Sequence, residues 1–338
     1  MSRRRVEIVG GGLAGLCVGT ELVRAGIPTT IFEAGDYPRH RVCGEFVAGL
    51  SGVEATKLRP LFKDAIAHRD VAWFCGERMV RRQTLAAPAW GISRITLDKR
   101  MADHFVEAGG DLRTRTRIAD NACPPGRVLA VGRPAHASEW VGLKLHLRGI
   151  ELEADLEVHL GRGSYVGLCK VDDGWINLCG LFSRQTVSRG AGEDLFRRTL
   201  LASGLVSLAK RVEHAEIRRG SAMATAGLAY ARQVDGTTLQ LGDAFAMIPP
   251  FTGNGMALAF QSAMAAFAPI KAWSEGASSW TRAVHEAKRA IAVNARRRLR
   301  IARMLHPWLL RPMRQRVFSF AQYTRVVPLG TLTHFLHR

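Results

Sequence analysis

Val6–Val9 is a short apolar run, and positions 13–25 follow it with apolar side chains at helical spacing. After Gly26, Thr29–Phe32 reads as a second, β-branched strand. Strand, helix and strand in this order predict a β-α-β unit, whose parallel strands need the helix as a crossover. A further helix is expected over 97–108, closed by Gly109 and Gly110, and a buried strand over 128–131. Between Trp140 and Phe182 the pattern changes to alternation, over 143–147, 152–159 and 175–181, the last after the turn Asp172-Asp173-Gly174. That stretch predicts an antiparallel sheet. A helix over 193–203, with Gly204 placed to close it, and a buried strand over 239–241 complete the pattern.

The chain has 338 residues, 47% of them hydrophobic, enough for a large core in one or two joined domains. Its six cysteines include no C-x-x-C pair, which gives neither a zinc site nor a disulfide framework and suggests a reducing, cytoplasmic setting. His68, His146 and His159 lack ligand spacing, so no metal is assigned. Arg3-Arg4-Arg5 is followed by a strand and glycines, not by the apolar stretch of an export signal. Positions 244–270 carry no charge, but Pro249-Pro250 and Gly253-Asn254-Gly255 break them, so a buried core helix is expected and not a membrane span.

Charge is concentrated at one end. Of the net +19, the segment from Arg282 onward holds thirteen Lys/Arg against Glu286 alone, or +12. With 291–305 as a helix, Arg296, Arg300 and Arg303 share one stripe, and Ile291, Ala295, Ala302 and Leu305 lie opposite. Trp308, Leu309 and Leu310 follow Pro307. Through residues 282–338 such a region suits an anionic membrane surface, making the protein peripheral, or an acidic acyl-carrier protein. The alternative is a helix packed on the body with solvated arginines. Nucleic acid is disfavoured, because no aromatic platform is interleaved with the arginines.

Gly10-Gly11-Gly12-Leu13-Ala14-Gly15 is a G-x-G-x-x-G between strand and helix. Gly10 permits the tight turn, Gly12 lets backbone N–H groups close on a pyrophosphate, and Gly15 lets helix and strand touch. The helix N-terminus, at Leu13 and Ala14, carries partial positive charge toward the phosphates. Glu33, eighteen residues after Gly15, ends the second strand where a carboxylate can bind ribose hydroxyls, which disfavours NADP. Much later come Leu241-Gly242-Asp243-Ala244 and a run from Ile248 through Pro250, Gly253 and Gly255 to Met256. This pair resembles the Gly-Asp segment and flavin-facing loop of the glutathione-reductase-type flavoproteins. The resemblance implies FAD, with Asp243 on the ribityl chain and a helix start near Gly255 aimed at the flavin pyrimidine.

The expected fold is therefore α/β. A Rossmann-like FAD-binding domain (1–135 and 236–275) carries an inserted antiparallel substrate sheet (136–235, with part of 60–90), and a basic helical region (276–338) follows.

A finer resemblance is to the geranylgeranyl reductase-like oxidoreductases, relatives of aromatic hydroxylases and flavin-dependent halogenases. Four segments carry it: the loop Tyr37-Pro38-Arg39-His40-Arg41-Val42-Cys43-Gly44-Glu45, the entry Ser93-Arg94-Ile95-Thr96-Leu97-Asp98, the strand 163–168 with Tyr165, and the Gly-Asp to Gly-Met stretch. It implies that Arg41 and Arg94 lie near the cofactor. Val131-Gly132-Arg133-Pro134-Ala135 stands where the group has a Gly-Ala-Asp-Gly segment tied to nicotinamide use, which leaves NAD(P)H open as reductant. No Trp-x-Trp-x-Ile-Pro signature is present, against a halogenase.

The candidate catalytic residues are Glu45, Cys43 and Tyr165. Glu45 reads as an acid/base or as a structural partner of Arg41, and Cys43 as a proton donor or a small buried hydrophobe. Tyr165 reads as a donor to substrate oxygen or as sheet packing. The expected activity is C=C reduction or oxygenation of a hydrophobic lipid-like, prenyl or carrier-bound polyketide-like molecule. The alternative is a flavin-containing scaffold without turnover, or a membrane- or carrier-binding protein.

Overall fold

The computed structural model of the chain describes residues 3–50, 52–118, 123–133, 138–226, 237–310, 314–315 and 317. The first half supplies β1 (Val6–Val9), α1 (Leu13–Arg24), β2 (Thr29–Phe32), β3 (Phe46–Val47), α2 (Gly52–Leu58), β4 (Ile66–Cys75), β5 (Arg78–Gly91), α3 (Arg94–Glu107), β6 (Asp111–Arg113) and β7 (Arg127–Leu129). The second supplies β8 (Trp140–Arg148), β9 (Leu156–Gly161), β10 (Ser164–Lys170), β11 (Ile176–Ser183), α4 (Gly192–Ala202), α5 (Val206–Glu213), β12 (Glu216–Ile217), β13 (Met223–Ala226), β14 (Leu239–Gln240), α6 (Gly255–Ser274) and α7 (Trp280–Leu310).

The expected α/β architecture is present. Five strands form a parallel sheet in the order β14-β7-β1-β2-β6. Residue 239 of β14 pairs with residue 128 of β7, so the late strand joins the N-terminal sheet. Helix α1 is apolar almost all round because it is covered on every side, and its Leu16, Val18 and Leu22 enter one core with Ile8, Ile31, Phe105 and Phe260.

The second sheet runs β12-β8-β11-β10-β9-β4-β5-β3, with β13 also on β8. It departs from an all-antiparallel sheet at one pair, since β4 and β9 run parallel. The strand expected to begin at 152 begins at Leu156. There the Asp155 carboxylate accepts the Arg69 and Asp70 N–H groups at 2.7 and 3.0 Å, which ends the loop and docks β9 beside β4. The long β4–β5 hairpin was poorly marked by alternation. Its register shifts between His68 and Asp70 and between Trp73 and Phe74 swap the inward face, which erases a period-two pattern.

Helix α3 starts three residues earlier than 97. Ser93 caps it by accepting the Thr96 N–H, and Asp172 from the second sheet takes the Ser93 N–H at 2.5 Å and the Ser93 hydroxyl at 2.9 Å. Helix α6 is a buried core helix, and among the described residues no helix is long and apolar enough to cross a membrane. Helix α7 is longer than the expected 291–305 and packs on the body through Ala283, Ala287, Ile291, Ala295, Ala302 and Leu309. Arg296, Arg300 and Arg303 face outward as the stripe predicts, whereas Arg298 is buried and donates to Gln261 Oε1 at 2.7 Å. Arg311, Arg316, Arg325 and Arg338 of the basic region lie outside the described residues, as do Pro134 and Ala135.

Candidate functional site

The β1–α1 connection is a tight glycine turn. Gly10 sits at φ +109, and a Cβ there would meet Ala130 O at 2.3 Å, while one on Gly15 would meet Gly10 O at 2.1 Å. Both positions are forced to glycine by backbone contact. Gly12 differs, because a Cβ there would find no atom within 4 Å. It is the N-cap of α1 and offers no side-chain cap, so no capping side chain competes for the N–H groups of the first turn.

The second glycine segment arrives beside this turn. Gly242, at φ +60, opens a short 3-10 turn through Ala244, and a Cβ on it would lie 3.3 Å from the Ala14 methyl. Asp243 is half-buried there, and burial pushes its carboxyl up against the pull of Arg133 and Arg94. Pro250 starts another 3-10 turn that Gly253 closes at φ +66, Gly255 begins α6, and Met256 is buried. A Cβ on Gly253 would meet the Phe46 ring at 2.2 Å, so the loop after Glu45 packs directly on this turn.

Between the two segments lies a charged network. Glu33 ends β2 and accepts the Gly11 N–H at 2.9 Å, the Gly35 N–H at 2.8 Å and Arg39 at 2.7 Å. Its carboxylate is thus fixed against the glycine turn. Arg41 does not pair with Glu45; it donates to Asp98 at 2.9 Å and lies 3.7 Å from Glu33. Arg94 grips the same Asp98 with two bonds of 2.7 and 2.9 Å. One buried acid therefore organises both arginines.

Glu45 has other partners, which the sequence did not mark. Its carboxylate binds Lys144 Nζ and His146 Nε2, each at 2.5 Å, and accepts the Arg94 N–H at 2.9 Å. Glu45, Lys144 and His146 are all 0% exposed. Burial alone would raise the Glu45 pKa, but Lys144 and His146 outweigh it and hold the carboxyl below its usual range. Lys144 and His146 share one face of β8, as alternation requires, and Cys179 and Asn177 are their cross-strand neighbours on β11. Cys43 lies between, accepting the Glu45 N–H at 3.4 Å, and burial pushes its thiol up, so it is held as a thiol.

Tyr165 projects from β10 into an apolar wall with Trp73, Leu160, Leu181 and Met247. Its ring meets Phe251 edge-on at 6.1 Å, and His306 of α7 stacks on Phe251 at 6.4 Å. Burial lowers the His306 pKa to about 4, so it is a neutral ring near neutral pH. Neither His306 nor His146 carries a spacing signal, and only the folded chain reveals them. Among the described residues no cluster of His, Cys, Asp and Glu is arranged to hold a metal ion.

No family model and no curated protein matches this sequence. Solved structures do. The p-nitrophenol 4-monooxygenase PnpA from Pseudomonas putida DLL-E4 superposes with a TM-score of 0.74 at 12% identity, over 100% of this chain and 97% of that one. A triple mutant of the flavin-dependent brominase Bmp2 gives 0.74 at 16% identity, over 98% and 93%. CtdE, in complex with FAD and substrate 4, gives 0.69 at 14% identity, over 90% and 89%. The chain has the fold of these flavin-dependent enzymes.

Proposed function

We propose that this chain is an FAD-dependent oxidoreductase acting on a hydrophobic small molecule, with oxygenation the better supported reaction. The observation that carries the reading is the meeting of Gly242 with Ala14, which joins two sequence-distant half-sites into one cradle. The residues fit the cofactor: an open helix N-terminus at Gly12 suits a pyrophosphate, and a half-buried Asp243 suits a hydroxyl-rich chain. FAD, when bound, supplies the redox step itself, passing electrons to a C=C bond or to O₂. The protein's part is to bind and orient. Pro250 to Gly255 present the N-terminal end of α6, whose partial positive charge favours an anionic ring system. The wall of Trp73, Tyr165, Leu181 and Phe251 excludes water and matches an apolar or aromatic substrate.

Likeness to monooxygenases supports oxygenation, while the geranylgeranyl reductase-like segments support C=C reduction. Anaerobic mixing of the yellow holoprotein with NADPH or NADH distinguishes the cases. Anaerobic bleaching by a nicotinamide, followed on admission of O₂ by recovery of its oxygen in a product of an added aromatic substrate, is the expected result. A flavin that neither nucleotide bleaches, with or without apolar ligands, would speak for a scaffold without turnover.

The outer face of α7 favours a further role as a peripheral contact with anionic lipid. Val293, Met304 and Trp308 are 66%, 59% and 37% exposed among exposed arginines 296 and 300, and no acid follows Glu286 in the sequence. Each basic residue near such a surface contributes about 1 kcal/mol. Sedimentation with phosphatidylserine vesicles but not with neutral ones, abolished by high salt, is expected. Equal behaviour with both vesicle types, or capture of an acidic carrier protein without lipid binding, would overturn it.

A further inference from the structure

Glu45 is fully buried with Lys144 and His146 bonded to its carboxylate, and His146 has a neighbour that is only partly buried. That neighbour is His40, which meets the His146 ring edge-on, with centroids 5.0 Å apart and planes at 83°. His146 gives Nε2 to Glu45, and among the described residues its Nδ1 is buried with no hydrogen-bond partner. The Nδ1 of His40 is likewise buried and unpartnered among the described residues. An ionised Glu45 requires His146 to donate from Nε2, and in the neutral ring that tautomer leaves Nδ1 as an acceptor. The backbone of Glu45 leads toward the site: its own N–H binds Cys43, and the next residue, Phe46, packs on Gly253.

We propose that His40, His146 and Glu45 form a relay that carries protons between solvent and the reaction centre beside Gly253, with Lys144 holding Glu45 ionised at rest. One inward transfer forms an N–H bond at His146 Nδ1 from a proton delivered past His40. It then breaks the N–H bond at His146 Nε2 as that proton moves to Glu45 Oε2. The net change is a neutral Glu45 and one proton taken from solvent. His40 and His146 are positioning residues in this scheme. Burial, with Lys144 adding to it, lowers the His40 pKa to about 4, so His40 passes protons near neutral pH without storing them. The other charged or titratable groups around the pair are Arg94 and Asp98 of α3, Arg218 after β12, and the thiols of Cys43, Cys169 on β10 and Cys179 on β11. The relay rests on the FAD reading only for its destination.

The test is ¹⁵N-histidine NMR on the full chain, reading the tautomer of His146 and the exchange of its Nε2 proton with water. The expected result is an Nε2–H tautomer whose proton exchange slows about tenfold or more in His40→Phe. His40→Gln, which keeps polarity but cannot titrate, slows it as well and serves if the phenyl ring disturbs folding. His285→Phe, on the exposed side of α7, leaves the rate unchanged. Equal exchange in His40→Phe, His40→Gln and the parent, or a His146 protonated on both nitrogens through the neutral range, would overturn the relay. FAD content measured on the same samples separates the two ideas. Parent protein that binds FAD but exchanges independently of His40 loses the relay alone. Parent protein that relays without binding FAD keeps the relay and loses its destination.

Discussion

Gly12→Asp is expected to fold as the parent does and to lose FAD. At φ −88 and ψ −174 the backbone of Gly12 lies where any residue can sit, and no atom lies within 4 Å of an added Cβ. Aspartate is a favoured N-cap, worth a few tenths of a kcal/mol over glycine, so the melting temperature should hold or rise slightly. The same carboxylate occupies the end of α1 and faces any pyrophosphate seated there. Two like charges about 4 Å apart repel by roughly 4 kcal/mol at a near-surface effective dielectric. After solvent screening, an affinity loss of about a hundredfold or more remains. Gly10→Ala and Gly15→Ala cannot serve, because their Cβ atoms would strike backbone oxygens at 2.3 and 2.1 Å and disturb the fold itself. Paired melting curves and FAD titrations check the prediction, and a Gly12→Asp protein with parental affinity would contradict it.

Glu45→Ala is expected to give the largest stability loss of any single change in the site, about 3–5 kcal/mol. It leaves the Lys144 ammonium at 0% exposure with its carboxylate gone. Lys144→Met should cost a comparable amount by stranding Glu45, although the Arg94 N–H and His146 soften it. The double replacement Glu45→Gln with Lys144→Met removes both charges and should regain most of the loss, since a buried pair is worth little over a neutral isostere. Urea midpoints measure all three. The pH dependence has a definite sign. The Glu45 pKa is depressed below its ordinary 4.5, so its contribution is present above that value and is lost as pH falls through the lower folded value. The gap between parent and Glu45→Ala should therefore be widest near neutrality and narrow in acid. A single variant as stable as the parent would mean that the pair is not buried as described.

The two glycine segments and their local structure were legible in the sequence because their signals are local. Gly10, Gly12 and Gly15 report backbone contacts within one strand–turn–helix, and Gly242-Asp243 follows its own strand. Glu45 was legible as a candidate, but its partners were not. In Leu143-Lys144-Leu145-His146-Leu147 alternation places Lys144 and His146 together on the face opposite the leucines, a face that pattern alone assigns to water. The fold turns that face inward against a loop about a hundred residues earlier, a separation that no periodicity encodes. The alternative reading of Glu45 as a partner of Arg41 fails for a similar reason, since Asp98, far along the chain from Arg41, draws both Arg41 and Arg94. His306 sat unnoticed among arginines because charge, and not burial, dominates that stretch of sequence.

The most direct test of the central claim is equilibrium titration of folded apoprotein with FAD, followed by visible absorption and by quenching of protein fluorescence. One FAD per chain, with binding weakened by Asp243→Ala and abolished by Gly12→Asp, is the result predicted by a cradle built from Gly12 and Asp243. Folded protein that takes up no FAD, or takes it up equally well in both variants, would contradict it.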